Sequence, residues 1–429
     1  MPFVMACSYS GKRGENKKMK KYFFRIIVIL CMMFAVSCQE EDHLLDPKFG
    51  TEEYLPDYDV PMEYAASNGK VTRFGDVYYA GMGNIAVYYD TVSGVTGAVC
   101  GKADCTHNSM ACNAFLDLGN ITGLQIYDGK IYWLQGAGYS RILYRMDLDG
   151  NNREQVQVLD DISGTAPRFA IHRGYVYTTV MKSEVRDRQS YSVLEIKQYV
   201  LGQKEQEPYV IYTGEYTGDL RYNCRFHGNH MYVAVDNDVE LEEKSFNRQF
   251  FSYDMKAQEW KLLWEDTLPW TTRAYIVDET GADILEIQLG EDYSIQRVRL
   301  DFASGTRTVV GEEYALGDQS ASMIEGYVAI YTFYKPEPEE SHTCLILDWD
   351  TFEVLAEHEI QGGYVYCYGG DADGFLFQQD ALELPNEKDA IESYKILQVP
   401  YAQDEEPRYL MQYEVLSTVG RSDWESTFR

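Results

Sequence analysis

Thirteen positions of a 429-residue chain, within 98-AVCGKADCTHNSMACNAF-115, hold Cys100, Cys105, His107 and Cys112. Three thiols and one imidazole make a complete donor set for a closed tetrahedral Zn²⁺ site. The spacings between them are not those of common zinc ribbons or knuckles. The same residues offer two other chemistries. One disulfide among Cys100, Cys105 and Cys112 would staple the loop and leave one thiol over, and spacing does not choose the pair. Thiols beside an imidazole can also be redox-active, although the chain contains no Cys-x-x-Cys. The choice turns on the compartment and on the elements that carry the loop.

The segment 17-KKMKKYFFRIIVILCMMFAVSC-38 speaks to the compartment. Four lysines precede an apolar run interrupted by Arg25, and small residues then lead into Cys38. The run is short for a membrane-spanning helix and its flanks suit a cleaved signal. Ala35-Val36-Ser37-Cys38 resembles the lipobox of bacterial lipoproteins. That resemblance implies cleavage before Cys38 and acylation of its thiol, placing the protein at the cell envelope, on the outer membrane or cell surface, outside the cytoplasm. Ala35 stands where Leu is usual. Gln39-Glu40-Glu41-Asp42 resembles the surface-export signal of some Gram-negative lipoproteins. Residues 1–18 read as untranslated leader, because 12-KRGE-15 is encodable as a purine-rich ribosome-binding sequence ahead of Met19. Export itself favours disulfides.

The net charge is −30, and removal of residues 1–37 makes the remainder more acidic still. A field of that sign repels phosphate backbones, so nucleic acid is excluded as a partner. It also disfavours polybasic docking to anionic lipid, which leaves the acyl chains as the membrane attachment. An apolar content of 45% excludes a largely disordered chain.

The elements emerge from a repeat. Gly75, Gly129, Gly174, Gly228, Gly281, Gly326 and Gly374 fall 45 to 54 residues apart, each between two short strand-like runs such as 123-GLQIYDGKIYWL-134. Glycine tolerates the positive φ of tight hairpins. A second hairpin follows each first one, as in 142-ILYRMDLDGNNREQVQVL-159, 250-FFSYDMKAQEWKLLWED-266 and 344-CLILDWDTFEVLAEHEI-360. Alternating Tyr, Val, Leu and Ile suit half-buried strands. Two hairpins per unit make a four-stranded propeller blade. The expectation is an all-β, seven-bladed β-propeller over residues 63–415, with six or eight blades as alternatives. Residues 1–37 are then leader and signal, 38–62 an acidic tether with Pro47, Pro56 and Pro61, and 416–429 a C-terminal tail. The 36 tyrosines are mostly accounted for by packing between blades, with a Tyr-rich sugar-binding surface as the alternative.

The stretch 126-IYDGKIYWLQGAGYSRILYRMDLDGNNREQV-156 resembles the YWTD repeat of low-density-lipoprotein-receptor propellers. It is also similar to bacterial lipoproteins that carry a propeller domain of unknown function. Tyr132-Trp133 matches the first half of YWTD and 146-MDLDGN-151 the second hairpin. Leu134-Gln135 stands where Thr-Asp is usual, so the inter-blade role of that Asp does not carry over. The resemblance implies fold for most of residues 63–415 and no chemistry. Since such receptor propellers bind proteins, it favours a protein partner over a small metabolite. A comparable cysteine-rich insert, with the Cys105-Thr106-His107 step, occurs in the bacterial lipoproteins. Here the insert lies between blades one and two.

Other candidates have plainer readings. Asp147, Asp149 and Asn151, like Asp371 and Asp373, hint at calcium loops but fall on hairpin turns, without the bidentate Glu of an EF-hand. His172, His227 and His230 lie on inner hairpins, as a channel cluster or as scattered strand residues. Trp260, Trp264 and Trp270 read as packing. Cys224, Cys344 and Cys367 read as small buried residues. The runs 238-DVELEE-243 and 335-KPEPEESH-342 read as loops. No nucleophile elbow, His-Glu-x-x-His or phosphate loop occurs, so no residue is assigned a catalytic role. The functional expectation is a lipid-anchored, exported propeller acting as a binding or scaffold module for a protein or glycan, with a structural Zn²⁺ as the one candidate cofactor. The alternative is an extracellular glycan- or peptide-processing enzyme with its site in the propeller funnel.

Overall fold

The computed structural model describes residues 51–60, 71–116, 123–135, 141–159, 168–203, 207–239, 245–288, 293–335, 341–361, 363–383, 389–418 and 425–428. Cys38, with the signal-like segment, lies outside them. Blade one is β1 (Val71–Phe74), β2 (Val77–Met82), β3 (Ile85–Asp90) and β4 (Val95–Ala98). Blade two is β5 (Leu124–Tyr127), β6 (Lys130–Gln135), β7 (Arg141–Asp147) and β8 (Glu154–Leu159). Blade three is β9 (Arg168–His172), β10 (Tyr175–Arg186), β11 (Gln189–Val200) and β12 (Tyr209–Thr217). Blade four is β13 (Leu220–His227), β14 (His230–Val239), β15 (Ser245–Asp254) and β16 (Glu259–Leu268). Blade five is β17 (Trp270–Val277), β18 (Gly281–Gln288), β19 (Ser294–Asp301) and β20 (Arg307–Ala315). Blade six is β21 (Ser320–Ile324), β22 (Tyr327–Tyr331), β24 (Ser341–Asp348) and β25 (Val354–Gln361), with β23 (Tyr334–Lys335) in its middle loop. Blade seven is β26 (Gly363–Asp371), β27 (Gly374–Glu383), β28 (Asp389–Val399) and β29 (Arg408–Thr418). β23 adds to its inner edge and β30 (Glu425–Phe428) to its outer edge. All pairings are antiparallel, and there is no helix among the described residues. The chain is a seven-bladed, all-β propeller.

The inner strands of the blades are buried on both faces, so successive side chains serve opposite neighbours, while outer strands such as β12, β16 and β20 stay largely exposed. Tyr78 packs toward blade seven and Tyr79 toward blade two. Tyr132 faces blade three, while Trp133, the other half of the YW pair, faces blade one and stacks on Tyr144. Seven apolar clusters result, one for each interface around the ring. The first strands of successive blades touch, β1 with β5 and β17 with β21 among them, so they are the innermost. Outer strand pairs carry a register shift in blades two to seven. In blade four one residue is added to β16 between Leu262 and Trp264, the partners of Phe251 and Phe250. The bulge turns Trp260 toward blade three and Trp264 toward blade five, so two tryptophans four positions apart pack in different interfaces.

Two stretches differ from the sequence expectation. Within the expected tether, residues 51–60 are docked across the first turns of blades two, three and four. Arg173 takes φ 48° beside Gly174 at φ 90° in a tight hairpin turn. Its guanidinium grips both oxygens of Asp59 at 2.7 and 2.9 Å, the Thr51 and Glu53 carbonyls, and the side chain of Asn229. Glu52 in turn accepts from Asn229, and Asp57 accepts from the Asp128 backbone. Such docking is polar and irregular, so it leaves no hydrophobic period to read. Within the expected C-terminal tail, residues 425–428 pair with β29 from Tyr413 to Leu416.

Candidate metal centre

The cysteine-rich loop leaves β4 at the outside of blade one and returns along the β2–β3 turn. Ala86 donates to the Ala114 carbonyl and Leu116 to the Asn84 carbonyl, and Phe115 forms a bridge with Ile85. Two tight turns raise the ligand candidates: Cys105 N–H reaches the Lys102 carbonyl and Cys112 N–H the Ser109 carbonyl. Blade two supplies the floor. Arg153 lies over Trp133 and donates to the Asn113 and Phe115 carbonyls, and Asn113 donates to the Gly150 carbonyl at 2.8 Å. Gly150 is required there, because a Cβ would sit 2.3 Å from the Val99 carbonyl oxygen.

These contacts bring the three sulfurs and one His107 nitrogen within 4.8 Å of one another. His107 Nδ1 lies 3.4 Å from Cys112 Sγ. A tetrahedral Zn²⁺ with Zn–S bonds near 2.3 Å has edges of about 3.8 Å, so small side-chain rotations would close the set on an ion. None of the three cysteines is in a disulfide here. Among the described residues this is the one group of His, Cys, Asp and Glu side chains arranged to hold a metal ion. His107 occupies the left-handed region at φ 55°, unusual for a non-glycine residue. Burial pushes the Cys112 thiol up to about 12, and its neighbours Cys105 and Cys100 add to the rise. At Cys100 burial opposes the thiolate. The Lys102 and Asn113 N–H groups and the neighbouring thiols outweigh it and hold the thiol below its usual range. Burial also lowers His107, favouring the neutral imidazole that a metal needs. Three crowded thiols cannot all ionise without a cation among them, and a dication is the natural counter-charge.

The remaining candidates disperse. Asp147 takes Lys130 and Asn152, while Asp371 takes Arg73, Tyr78 and Gln398, so both turns use their carboxylates in pairing. His172 is buried under residues 51–60, and His230 faces Glu52 at 3.6 Å and Asp254 at 3.9 Å. Cys344 is wholly buried with its thiol pushed well up by burial, and burial raises Cys367 to about 11.

A second feature escaped sequence reading. Phe333, next to β23, meets Tyr366 edge-on at 4.9 Å and Tyr364 at 6.0 Å, while Tyr364 and Tyr366 lie parallel at 6.5 Å. Phe333 and Tyr364 are each 43% exposed, the openness that separates them from interface aromatics such as Tyr177. Cross-strand pairing sets Tyr364 beside Asp380, and Gln378 donates to that carboxylate. Burial, Asp380 and Tyr364 together raise the Tyr366 hydroxyl. In an antiparallel meander the second turn and the link to the next blade share one end. The aromatic cluster and the cysteine loop are therefore at the end opposite the first turns that residues 51–60 cross. Thirty-six tyrosines gave no signal as to which would stay open.

No protein-family model matches the chain, and no curated protein is detectably similar to it. Solved structures align with the chain at low identity. A prolyl endopeptidase aligns at 12% identity over 90% of this chain and 58% of that one, with TM-score 0.46. The β-propeller domain of the Trilobed protease from Pyrococcus furiosus aligns at 11% over 80% and 96%, with TM-score 0.41. The nidogen/laminin complex aligns at 11% over 66% and 92%, with TM-score 0.36. The chain thus spans little more than half of the endopeptidase. These likenesses carry no argument about chemistry, and the fold assignment rests on the seven blades themselves.

Proposed function

We propose that the protein is a lipid-anchored, exported propeller of the cell envelope that captures a glycan at the end of the ring bearing Phe333, Tyr364 and Tyr366. The observation that carries this reading is that open aromatic cluster beside Asp380. Ring faces can stack on the C–H faces of a sugar, while a carboxylate and an amide bond its hydroxyls. Residues 51–60 lie across the first turns, at the other end of the ring, and do not cover the cluster. The lipobox-like 35-AVSC-38 and the acidic residues Glu40, Glu41 and Asp42 after it support the envelope address. A structural Zn²⁺ on Cys100, Cys105, His107 and Cys112 completes the reading, supported by the convergence of four soft or borderline donors.

A glycan and peptide array with the purified protein tests the capture role. Saturable glycan binding, weakened about tenfold by Phe333→Ala or Tyr364→Ala at unchanged thermal stability, supports it. Binding indifferent to both changes overturns it, turnover of a polymer favours the enzyme reading, and one stoichiometric protein partner favours a scaffold. Mass spectrometry of the mature N-terminus tests the anchor: an acylated Cys38 is expected, and an N-terminus elsewhere rejects it.

A further inference from the structure

The cysteine loop sits where the ring closes. Each described blade is built from consecutive strands, so no strand from one end of the chain completes the blade of the other. Among the described residues no strand pairs across the join of blades seven and one: Leu376, Ile396 and Met411 pack against Val71, Tyr78 and Ala80, Asp371 bonds Arg73 and Tyr78, and the Thr96 hydroxyl donates to the Leu410 carbonyl at 3.3 Å. The same apolar cluster contains Cys112, Ala114 and Phe115, with Cys100 and Cys105 packed against it. It also takes in Phe428 of β30, whose ring stacks on Tyr413 at 5.1 Å and meets the His107 ring edge-on at 6.0 Å. One short loop therefore touches blade one through Ala86 and Asn84, blade two through Arg153, and blade seven through Phe428.

From this we infer that a Zn²⁺ ion held by Cys100, Cys105, His107 and Cys112 acts as the clasp of the propeller. The inference rests on the metal reading above and adds a role to it. Binding replaces thiol protons with Zn–S bonds and releases those protons to solvent. The ion fixes the His107 ring through Nδ1, the nitrogen nearest Cys112. A fixed ring supports Phe428, Phe428 keeps β30 on β29, and β29 and β30 both lie against β4. Among the described residues no strand is exchanged between the first and last blades, and the metal loop braces the join between them.

The test uses the full-length protein purified under reducing conditions, with metal analysis, free-thiol counting, and hydrogen exchange before and after chelation. One Zn²⁺ per chain is expected. Its removal should speed exchange in residues 408–418 and 425–428 by about tenfold or more, while residues 220–239 of blade four keep their protection. Phe428→Ala, which leaves all four ligands in place, should retain the metal yet show the same fast exchange in blade seven. Bound Zn²⁺ whose removal leaves residues 408–428 unchanged overturns the clasp and spares the site. Exchange that rises equally in all blades also overturns the clasp. A protein without metal and with a disulfide among Cys100, Cys105 and Cys112 overturns both.

Discussion

His172 is one of seven histidines, and its residue type says little of its role. In the fold it is fully buried. Its Nδ1 accepts the Val60 N–H at 3.3 Å, and its Nε2 faces the Gly228 carbonyl at 2.9 Å. A carbonyl only accepts, so Nε2 carries the proton and the ring is neutral with both nitrogens engaged. Burial, with Arg173 and His227 adding to it, holds the pKa down to about 4. Asp59 and the Gly228 carbonyl pull the other way. The sign of the linkage follows. As pH falls below about 6.5 the unfolded chain takes up a proton that the folded ring refuses, so stability drops until pH reaches the folded value. The difference corresponds to roughly 3 kcal/mol. His107 and His358 are also lowered by burial and act with the same sign. Urea unfolding between pH 7 and 4 should show this loss. His172→Gln, which retains a donor toward Gly228 but does not titrate, should shrink it, and an unchanged slope in that variant refutes the assignment.

At the scale of elements, the hairpins are legible in sequence because their turns need positive φ and their strands alternate. Gly75, Gly129, Gly174, Gly228 and Gly326 mark those turns on inspection, whereas Gly281 of blade five holds its place in the repeat without a positive φ. The Cys100–Cys112 loop is legible as a donor set because its four ligands lie within a few turns of chain. Its partner Phe428 is not, since it comes from the far end of the sequence and a single Phe has no signature. The bulge in β16 and the docking of residues 51–60 are hidden for a related reason: each depends on one residue added or one ion pair formed, with no period to betray it. Asp59 and Arg173 carry that docking, with side chains 2% and 0% exposed. Removing one partner of a buried pair strands the other charge, which typically costs about 3–5 kcal/mol. Asp59→Ala should destabilise the protein by that order in denaturant titration. It should also expose residues 51–60 to limited proteolysis, while Asp57→Ala, whose link to Asp128 runs through its backbone carbonyl, should do neither. Equal effects from both variants would show that Arg173 is not the anchor of the segment.

For the whole molecule the decisive property is that every blade packs on two others. In an open array of repeats the terminal units have one neighbour and unfold first, and stability becomes a sum over units. Seven interface clusters leave no blade with a free face here, provided the join between blades seven and one holds. A defect at one interface then removes support from blades on both sides, and the loss spreads around the ring as one event. Trp133 is the sharpest probe. It is fully buried between blades one and two, stacked on Tyr144 and covered by Arg153, whose guanidinium also holds the end of the cysteine loop. Trp133→Ala should cost about 3–5 kcal/mol through lost burial and the cavity left behind. In calorimetry the closed ring predicts a single transition moved to lower temperature, with calorimetric and van't Hoff enthalpies still in agreement. A variant that instead melts in two steps, with blades one and two ahead of the rest, would mean that the blades are energetically separate and that closure contributes little.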